Sequence, residues 1–311
     1  MLSFVAKRIL QTVPTIFGIT LFIFLLTRAL PGDPVVILLG SAPITQAQYD
    51  AVRDSLGLNQ PLYVQYIDYI IRLVHGNWGN SIQTQLPVFS IITYRLRNTL
   101  LLAALAMLIA VAIGIPTGII SALKQSSILD RFLQVTSMSF YSIPSFWLGL
   151  VLLWFFAVYL RILPAAGGSL AWNYLVLPAF TIALREVGFI SRLTRSFVLD
   201  IENEDHVMAA QARGLPSFLV VKNYVVRNAM VPIVTFLGLE LGSLIEGTVI
   251  VELVFAYPGI GSLIDQAILQ RDYPVIQGSV LLVGVAFVVI NLIVDIAYSY
   301  IDPRIRIDTK V

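Results

Sequence analysis

The dominant pattern in this chain is a series of long apolar stretches, separated by shorter segments that carry charges, prolines or glycines. A helix that crosses the hydrocarbon core of a membrane needs about 20 mainly apolar residues. Six stretches meet this requirement: Ile9–Thr27, Thr99–Leu123, Phe132–Leu160, Tyr174–Ile190, Val231–Val254 and Ser279–Ile301. The pattern predicts an all-α polytopic membrane protein with six transmembrane helices.

The ends of the chain are both expected on the cytoplasmic side. Lys7 and Arg8 precede the first apolar stretch, as in a secretory signal, but the stretch is long enough to span and no small-residue cleavage site follows it. We therefore expect a membrane helix there and no cleaved signal peptide. With the N-terminus inside, most of the arginines and lysines near the span ends also lie inside, which predicts an N-in, C-in topology.

Two polar segments divide the predicted spans. Residues 1–98 are expected to form an N-terminal membrane helix followed by a long external segment, and residues 99–311 a five-helix core with a cytoplasmic loop at about 191–230. In the external segment, Thr45 with Gln48 three positions later is typical of a helix start, so the sequence predicts a short helix over Thr45–Leu56.

Composition excludes several classes of function. Charged residues make up 12% of the chain and hydrophobic residues 58%, whereas a soluble domain carries about 25% charged residues. A soluble enzyme and a disordered chain are both disfavoured. The formal net charge is +2 and the basic residues are scattered, so no nucleic-acid partner is indicated.

Residues for familiar catalysis are largely missing. There is no cysteine, and the two histidines, His75 and His206, fall in loops on opposite sides of the predicted membrane. They cannot share a metal or a catalytic triad. No phosphate-binding loop is present. We expect no catalytic residue, no metal site and no bound cofactor in this chain.

Several ionisable or polar residues lie inside the predicted spans, where their cost makes a function worth considering. They are Arg185, Glu186, Glu240, Glu246, Asn291 and Asp295. Two interpretations stay open: structural ion pairs between helices, or the polar lining of a translocation path.

The cytoplasmic segment carries a compact helical elbow. Residues 202–216 predict a short helix with Asp205 in its first turn and Gly214 as its stop. A second helix is expected over Phe218–Asn228, before Pro232. The run Ala209–Gly214, with Pro232 downstream, resembles the coupling loop of ABC importer permeases of the binding-protein-dependent family. Met208 stands where the general motif has Glu, a departure that favours the peptide branch of that family.

The resemblance extends over nearly the whole chain. Further segments similar to the first permease subunit of dipeptide and oligopeptide importers are Arg28–Pro34, Gly57–Leu62, Gly76–Ser81, Val251–Gly261, Arg271–Pro274, Asn291–Asp295 and Asp302–Arg304. It implies the type I importer fold in the cytoplasmic (inner) membrane. It also implies three kinds of partner in the lipid bilayer or beside it: a second, different permease subunit, two ATP-binding subunits that hold ATP and Mg, and an external substrate-binding protein.

The resemblance also assigns roles to residues. The coupling loop that contacts an ATPase would comprise Asp205, Ala209, Ala210, Arg213, Gly214 and Leu215. The external loop before the last span would contact the binding protein through Tyr257, Pro258, Gly259, Gly261 and Asp272.

The cargo implied by the resemblance is a short peptide. Nickel complexes, opines and oligosaccharides are alternatives within the same family. From another class, a stand-alone secondary transporter or channel would use the intramembrane acids as ion sites, and it would be expected to carry inverted repeats. A membrane-embedded enzyme is disfavoured by the positions of the histidines.

Overall fold

The computed structural model describes residues 2–29, 35–36, 45–55, 57–165, 167 and 171–301, with side chains for all of these except residues 2–9, 55, 243, 245–246, 295 and 297–301. The helices are α1 Leu2–Ala29, α2 Gln46–Ser55, α3 Leu62–Val74, α4 Val88–Leu123, α5 Ile128–Ser142, α6 Ser145–Leu152, α7 Trp172–Glu202, α8 Asp205–Ala212, α9 Ser217–Val220, α10 Arg227–Val254, α11 Ile260–Gln270 and α12 Tyr273–Ile301. Two π-helical stretches, Leu153–Tyr159 and Val221–Val226, follow α6 and α9.

The described helices confirm the predicted all-α architecture. Five of them are long and apolar enough to cross a membrane, and a bent pair of helices supplies a sixth candidate. Prolines lie inside four of the long helices, at Pro14, Pro116, Pro178 and Pro232. Membrane helices tolerate such prolines because neighbouring groups can satisfy the freed backbone carbonyls.

The third predicted span is not one straight helix. It divides into α5 and the α6 segment ending at Tyr159, and the two are bent by 104°. Ile143, the residue before Pro144, has ψ 128°, which is extended. Proline disfavours the helical region for the residue that precedes it, so α5 ends there.

The predicted second cytoplasmic helix, Phe218–Asn228, is not separate from the fifth span. α9 passes through the π-helical stretch Val221–Val226 directly into α10, which contains Pro232. In contrast, the short helix predicted over Thr45–Leu56 is confirmed as α2, which spans Gln46–Ser55. The backbone N–H of Thr45 donates to Gln48 Oε1, and the backbone N–H of Gln48 donates to Thr45 Oγ1, which is the expected capping box.

Residues 98–258 and 290–301 form one compact unit. In it α5 and α10 pack on α7, and α6 packs on both α7 and α10. Close approach of α4 to α7 depends on glycine: a Cβ at Gly114 would lie 2.9 Å from Ile190 Cβ, and one at Gly118 would lie 2.5 Å from the Ser191 carbonyl oxygen. The spacing Gly114-x-x-x-Gly118 therefore marks a helix contact.

Residues 2–97 and 259–289 form a second compact unit. Here α1 packs on α3, and Tyr66 of α3 hydrogen-bonds Thr20 of α1 at 2.8 Å between the hydroxyl oxygens. The first turns of α4 join α11 and α12 in a buried apolar cluster that includes Val88, Ile92 and Ile260.

Candidate functional site

The elbow predicted to be cytoplasmic is built by helix α8 and a tight turn. α8 begins after Glu204 and ends at Arg213, with Asp205 in its first turn. Gly214 follows with φ +75°, a left-handed conformation that glycine adopts at least cost. Pro216 then precedes α9. The predicted helix with its glycine stop is thus present.

One face of the elbow packs inward. Val207 and Ala210 are buried in an apolar cluster with Val220, Val225 and Ala229 of the following helical segment. The cluster packs α8 against the first part of α10, which belongs to a helical segment long enough to span a membrane.

The other face of the elbow is exposed. Of the six residues assigned to it from the sequence, Asp205, Ala209, Arg213 and Gly214 are exposed, Leu215 is half-buried and Ala210 is buried. Two large apolar side chains outside that set of six are also exposed there: Met208 is 52% exposed and Phe218 is 73% exposed.

His206 of α8 contacts Asn228 at the start of α10. Asn228 Nδ2 lies 2.9 Å from His206 Nε2 and also donates to the Tyr224 carbonyl oxygen at 2.7 Å. If the amide donates to Nε2, the imidazole proton lies on Nδ1, which is 3.1 Å from Glu204 Oε2. His206 thus contacts both Asn228 and Glu204, and the sequence did not reveal these contacts.

Three of the intramembrane polar residues meet at one cavity. Arg185, Glu186 and Glu240 line a cavity of about 200 Å³, together with Ser145 and Gly247. Glu186 is only 6% exposed. Arg185 Cζ lies 5.8 Å from the ring centroid of Tyr141. One basic and two acidic groups thus border a small polar space between α6, α7 and α10.

Of the remaining candidates, only the side chain of Asn291 is described, and Asn291 does not line this cavity. Asn291 is half-buried on α12. The side chains of Glu246 and Asp295 lie outside the described residues, as do the sequence segments 30–34 and 302–311.

A buried ion pair that the sequence reading missed joins α5 to α7. The Arg195 guanidinium donates to both Asp130 oxygens, at 2.9 and 3.0 Å. Ser121 Oγ and Gln134 Nε2 also donate to Asp130, and the backbone N–H of Ser126 completes the set. Asp130 is 1% exposed. The residues are far apart in sequence, so no local pattern could have indicated the pair.

The residues proposed to contact a binding protein are mostly buried. The Tyr257 hydroxyl donates to the Asn98 carbonyl oxygen at 3.0 Å, and Asn98 Nδ2 donates to the Pro258 carbonyl oxygen at 2.8 Å. Tyr257, Gly259 and Gly261 are buried and Pro258 is half-buried. In the structure, Tyr257 and Pro258 attach this loop to Asn98, just before the second predicted span.

Asp272 has a similar internal role. It is 3% exposed and accepts hydrogen bonds from Ser81 Oγ at 2.5 Å and from the backbone N–H of Ile82 at 3.1 Å. The carboxylate ties the turn before α12 to the segment between α3 and α4. Among the described residues, no group of three or more acidic or histidine side chains is placed to hold a metal ion.

Two family models match the sequence. Residues 114–307 match the model described as binding-protein-dependent transport system inner membrane component. Residues 1–103 match the model for the N-terminal part of such membrane components. The chain belongs to this family. It is a multi-pass membrane permease component of a binding-protein-dependent transport system.

Full-length relatives of this permease carry specific names. The di/tripeptide transport system permease protein DppB of Pseudomonas aeruginosa (strain UCBPP-PA14) is 38% identical, with 98% of this chain and 99% of the relative covered. The glutathione transport system permease protein GsiC of Escherichia coli (strain K12) is 39% identical, with 98% and 99% covered. The similarity thus extends from end to end.

A solved structure supports the fold. A chain of the MetNI methionine ABC transporter in an inward-facing conformation matches with a TM-score of 0.59 and 18% identity, covering 69% of this permease and 97% of that chain. At this identity the match shows the fold alone, which is the type I ABC importer permease fold.

Proposed function

We propose that this permease subunit works in an ATP-driven importer that carries short peptides across the membrane. The observation that carries the proposal is the end-to-end similarity to two permeases whose names specify di/tripeptides and glutathione, itself a tripeptide. A stand-alone transporter or channel is disfavoured because the family works with a binding protein and because the chain has a dedicated cytoplasmic elbow.

The elbow is the proposed contact with an ATP-binding subunit. Met208 and Phe218 offer exposed apolar surface, and Ala209 and Gly214 allow close approach of a partner backbone. The buried side of the elbow connects this contact to α10 through Val207 and Ala210. Closure of two ATPase subunits would thereby move the membrane helices. ATP and Mg would bind in those subunits, and this chain would supply no catalytic group or cofactor site.

The cavity bordered by Arg185, Glu186 and Glu240 is the proposed polar part of the translocation path. A peptide carries an amino group and a carboxylate, and the cavity offers both signs of charge. At about 200 Å³ it is smaller than the about 300–1,000 Å³ of typical ligand pockets, so a peptide would pass it in a wider state of the transporter.

The complete assembly we propose has this permease, a second and different permease subunit, two ATP-binding subunits and an external binding protein, in the cytoplasmic membrane. Both chain ends would face the cytoplasm. The long segment before α4 would lie outside, and the elbow within residues 191–230 inside.

The test is transport by the purified complex. The chain would be purified with its copurifying subunits in mild detergent and reconstituted into liposomes with ATP and Mg on the ATPase side. Uptake of radiolabelled alanyl-phenylalanine and of glutathione would be measured with the binding protein present. We expect ATP-dependent uptake of at least one of them and stimulation of ATP hydrolysis by the same peptide.

Other outcomes would contradict the proposal at different levels. ATP-dependent uptake of a nickel complex, an opine or an oligosaccharide, without any peptide uptake, would support the importer assignment and refute the peptide cargo. A chain that purifies alone and conducts ions in liposomes would refute the importer assignment. If peptide uptake is unchanged when both Glu186 and Glu240 are replaced by Gln, the cavity is not part of the translocation path.

A further inference from the structure

A pocket of about 350 Å³ lies in the compact unit that contains α1, α3 and the first part of α12. Its floor includes apolar and aromatic side chains, among them Leu58, Leu73, Trp78 and Pro274. The volume falls in the about 300–1,000 Å³ range of small-molecule sites. The pocket is on the side predicted to be external, and it shares no lining residue with the cavity at Glu186.

Two opposite charges at the pocket have no partner among the described residues. Asp68 and Arg72 both line it and lie one helical turn apart on α3. Side chains at this spacing share a helix face, with Cβ atoms about 5–6 Å apart. Both are exposed, and no hydrogen bond or ion pair occupies either group in the part of the chain that the structure describes. An exposed pair of this kind gains little from direct pairing, so both groups are available to a ligand.

A third charge at the pocket is already held in place. The Arg28 guanidinium donates two hydrogen bonds to Gln65 Oε1, at 3.1 and 3.0 Å, and its Cζ lies 4.7 Å from the ring centroid of Phe24. Arg28 lines the same pocket and adds positive charge beside Arg72. The charge balance of the pocket therefore favours a ligand with a carboxylate and leaves one acid for an amino group.

The aromatic wall suits an apolar side chain. Tyr69 lines the pocket, and its hydroxyl is buried without a hydrogen-bond partner among the described residues. Burial raises the pKa of Tyr69 to about 12, and the nearby Tyr66 adds to the effect, so the ring stays neutral. Trp78 is half-buried and packs on Phe89, with 5.5 Å between ring centroids.

We propose that this pocket is an extracytoplasmic binding site for a short zwitterionic peptide, with the peptide carboxylate on Arg72 and the amino group on Asp68. The inference rests on the proposed function, because it names the same class of cargo. It adds a second site that receives peptide before the translocation path.

The test uses the complete transporter complex in lipid nanodiscs, without nucleotide and without binding protein. A radiolabelled alanyl-phenylalanine that carries a photoreactive diazirine would be crosslinked, and the labelled peptides of the permease mapped by mass spectrometry. We expect label within residues 57–82. Removing one charge-assisted contact by Arg72→Gln or Asp68→Asn should weaken labelling about 10-fold or more, while Arg72→Lys should retain part of it.

Controls separate the site from general effects of charge. Asp50→Asn on α2 removes an exposed acid that does not line the pocket and should leave labelling unchanged. N-acetylated and C-amidated forms of the probe should each compete about 10-fold less well than the free dipeptide, because each lacks one of the two charges.

Three results would overturn the inference: no label in residues 57–82, labelling unaffected by Asp68→Asn and Arg72→Gln, or equal competition by the blocked dipeptides. Uptake into liposomes is scored separately. Peptide uptake without label at the pocket would refute this site alone, whereas failure of peptide uptake and of peptide-stimulated ATP hydrolysis would refute the proposed function.

Discussion

Gly214 provides the sharpest test of coupling through the elbow. Its φ of +75° lies in the left-handed region, and an added Cβ would meet no atom within 4 Å. Replacement by Val therefore introduces no clash, and its cost is that of the backbone conformation. For a non-glycine residue this cost is about 1–2 kcal/mol, and a β-branched residue is especially unfavourable there.

The chain can relieve this strain by adopting a different backbone conformation at residue 214, which would change the orientation of α8 relative to the ATP-binding subunit. An energy of 1–2 kcal/mol corresponds to roughly a 5–30-fold change in an equilibrium. For Gly214→Val we expect membrane insertion and ATP hydrolysis to persist, while the number of peptides imported per ATP hydrolysed falls by roughly this factor. Uptake and phosphate release would be measured on the same liposomes.

Gly76 supplies a matched control. Its φ is +76°, and an added Cβ would likewise meet nothing within 4 Å. Gly76→Val should therefore cost the protein a similar amount of backbone strain while leaving the elbow intact. An unchanged transport ratio in Gly214→Val would refute coupling through this turn.

Three further predictions concern stability, each measured as the midpoint of thermal unfolding in detergent. Arg195→Ala strands a buried carboxylate and should cost about 3–5 kcal/mol, whereas Arg131→Ala, at an exposed site, should cost little; equal shifts would contradict the ion-pair assignment. Gly118→Ala forces a Cβ to 2.5 Å from a carbonyl oxygen of α7 and should cost about 1–3 kcal/mol, unlike Gly18→Ala, which meets open space. Folding raises the pKa of Tyr69 from 10 to about 12, so the stability that its neutral side chain contributes is complete below pH 10 and is lost as the pH rises to about 12. Tyr69→Phe should not show this loss of unfolding midpoint at alkaline pH. Parallel curves of midpoint against pH for the two proteins would refute the prediction.

Local signals in the sequence were sufficient for much of the fold. The apolar stretches located the membrane helices, the pair Thr45 and Gln48 located the start of α2, and Gly214 located the end of α8. Each depends on residues within a few positions of one another. The bend before Pro144 was also signalled locally, but the unbroken apolar run around it favoured a single helix.

What the sequence could not supply is the direction in which a side chain points and what it meets. The coupling-loop motif contains both Ala209 and Ala210, but in the structure Ala209 is exposed and Ala210 is buried. Tyr257 and Asp272 lie in segments that the family resemblance assigns to binding-protein contact, and the structure shows both side chains buried and hydrogen-bonded within their own unit. The pair Asp130 and Arg195 forms only when α5 packs on α7.

The contact between Ser81 and Asp272 has a consequence for how the protein is made. The two residues are separated by 191 positions, so the segment after α3 is synthesised long before the carboxylate that fastens it. At a synthesis rate of about 5–20 residues per second, roughly 10–40 s pass between the synthesis of Ser81 and that of Asp272. During that interval the nascent segment is open to proteases and to mispairing, so a protease supplied during synthesis should cut near Ser81 in nascent chains and spare the finished protein.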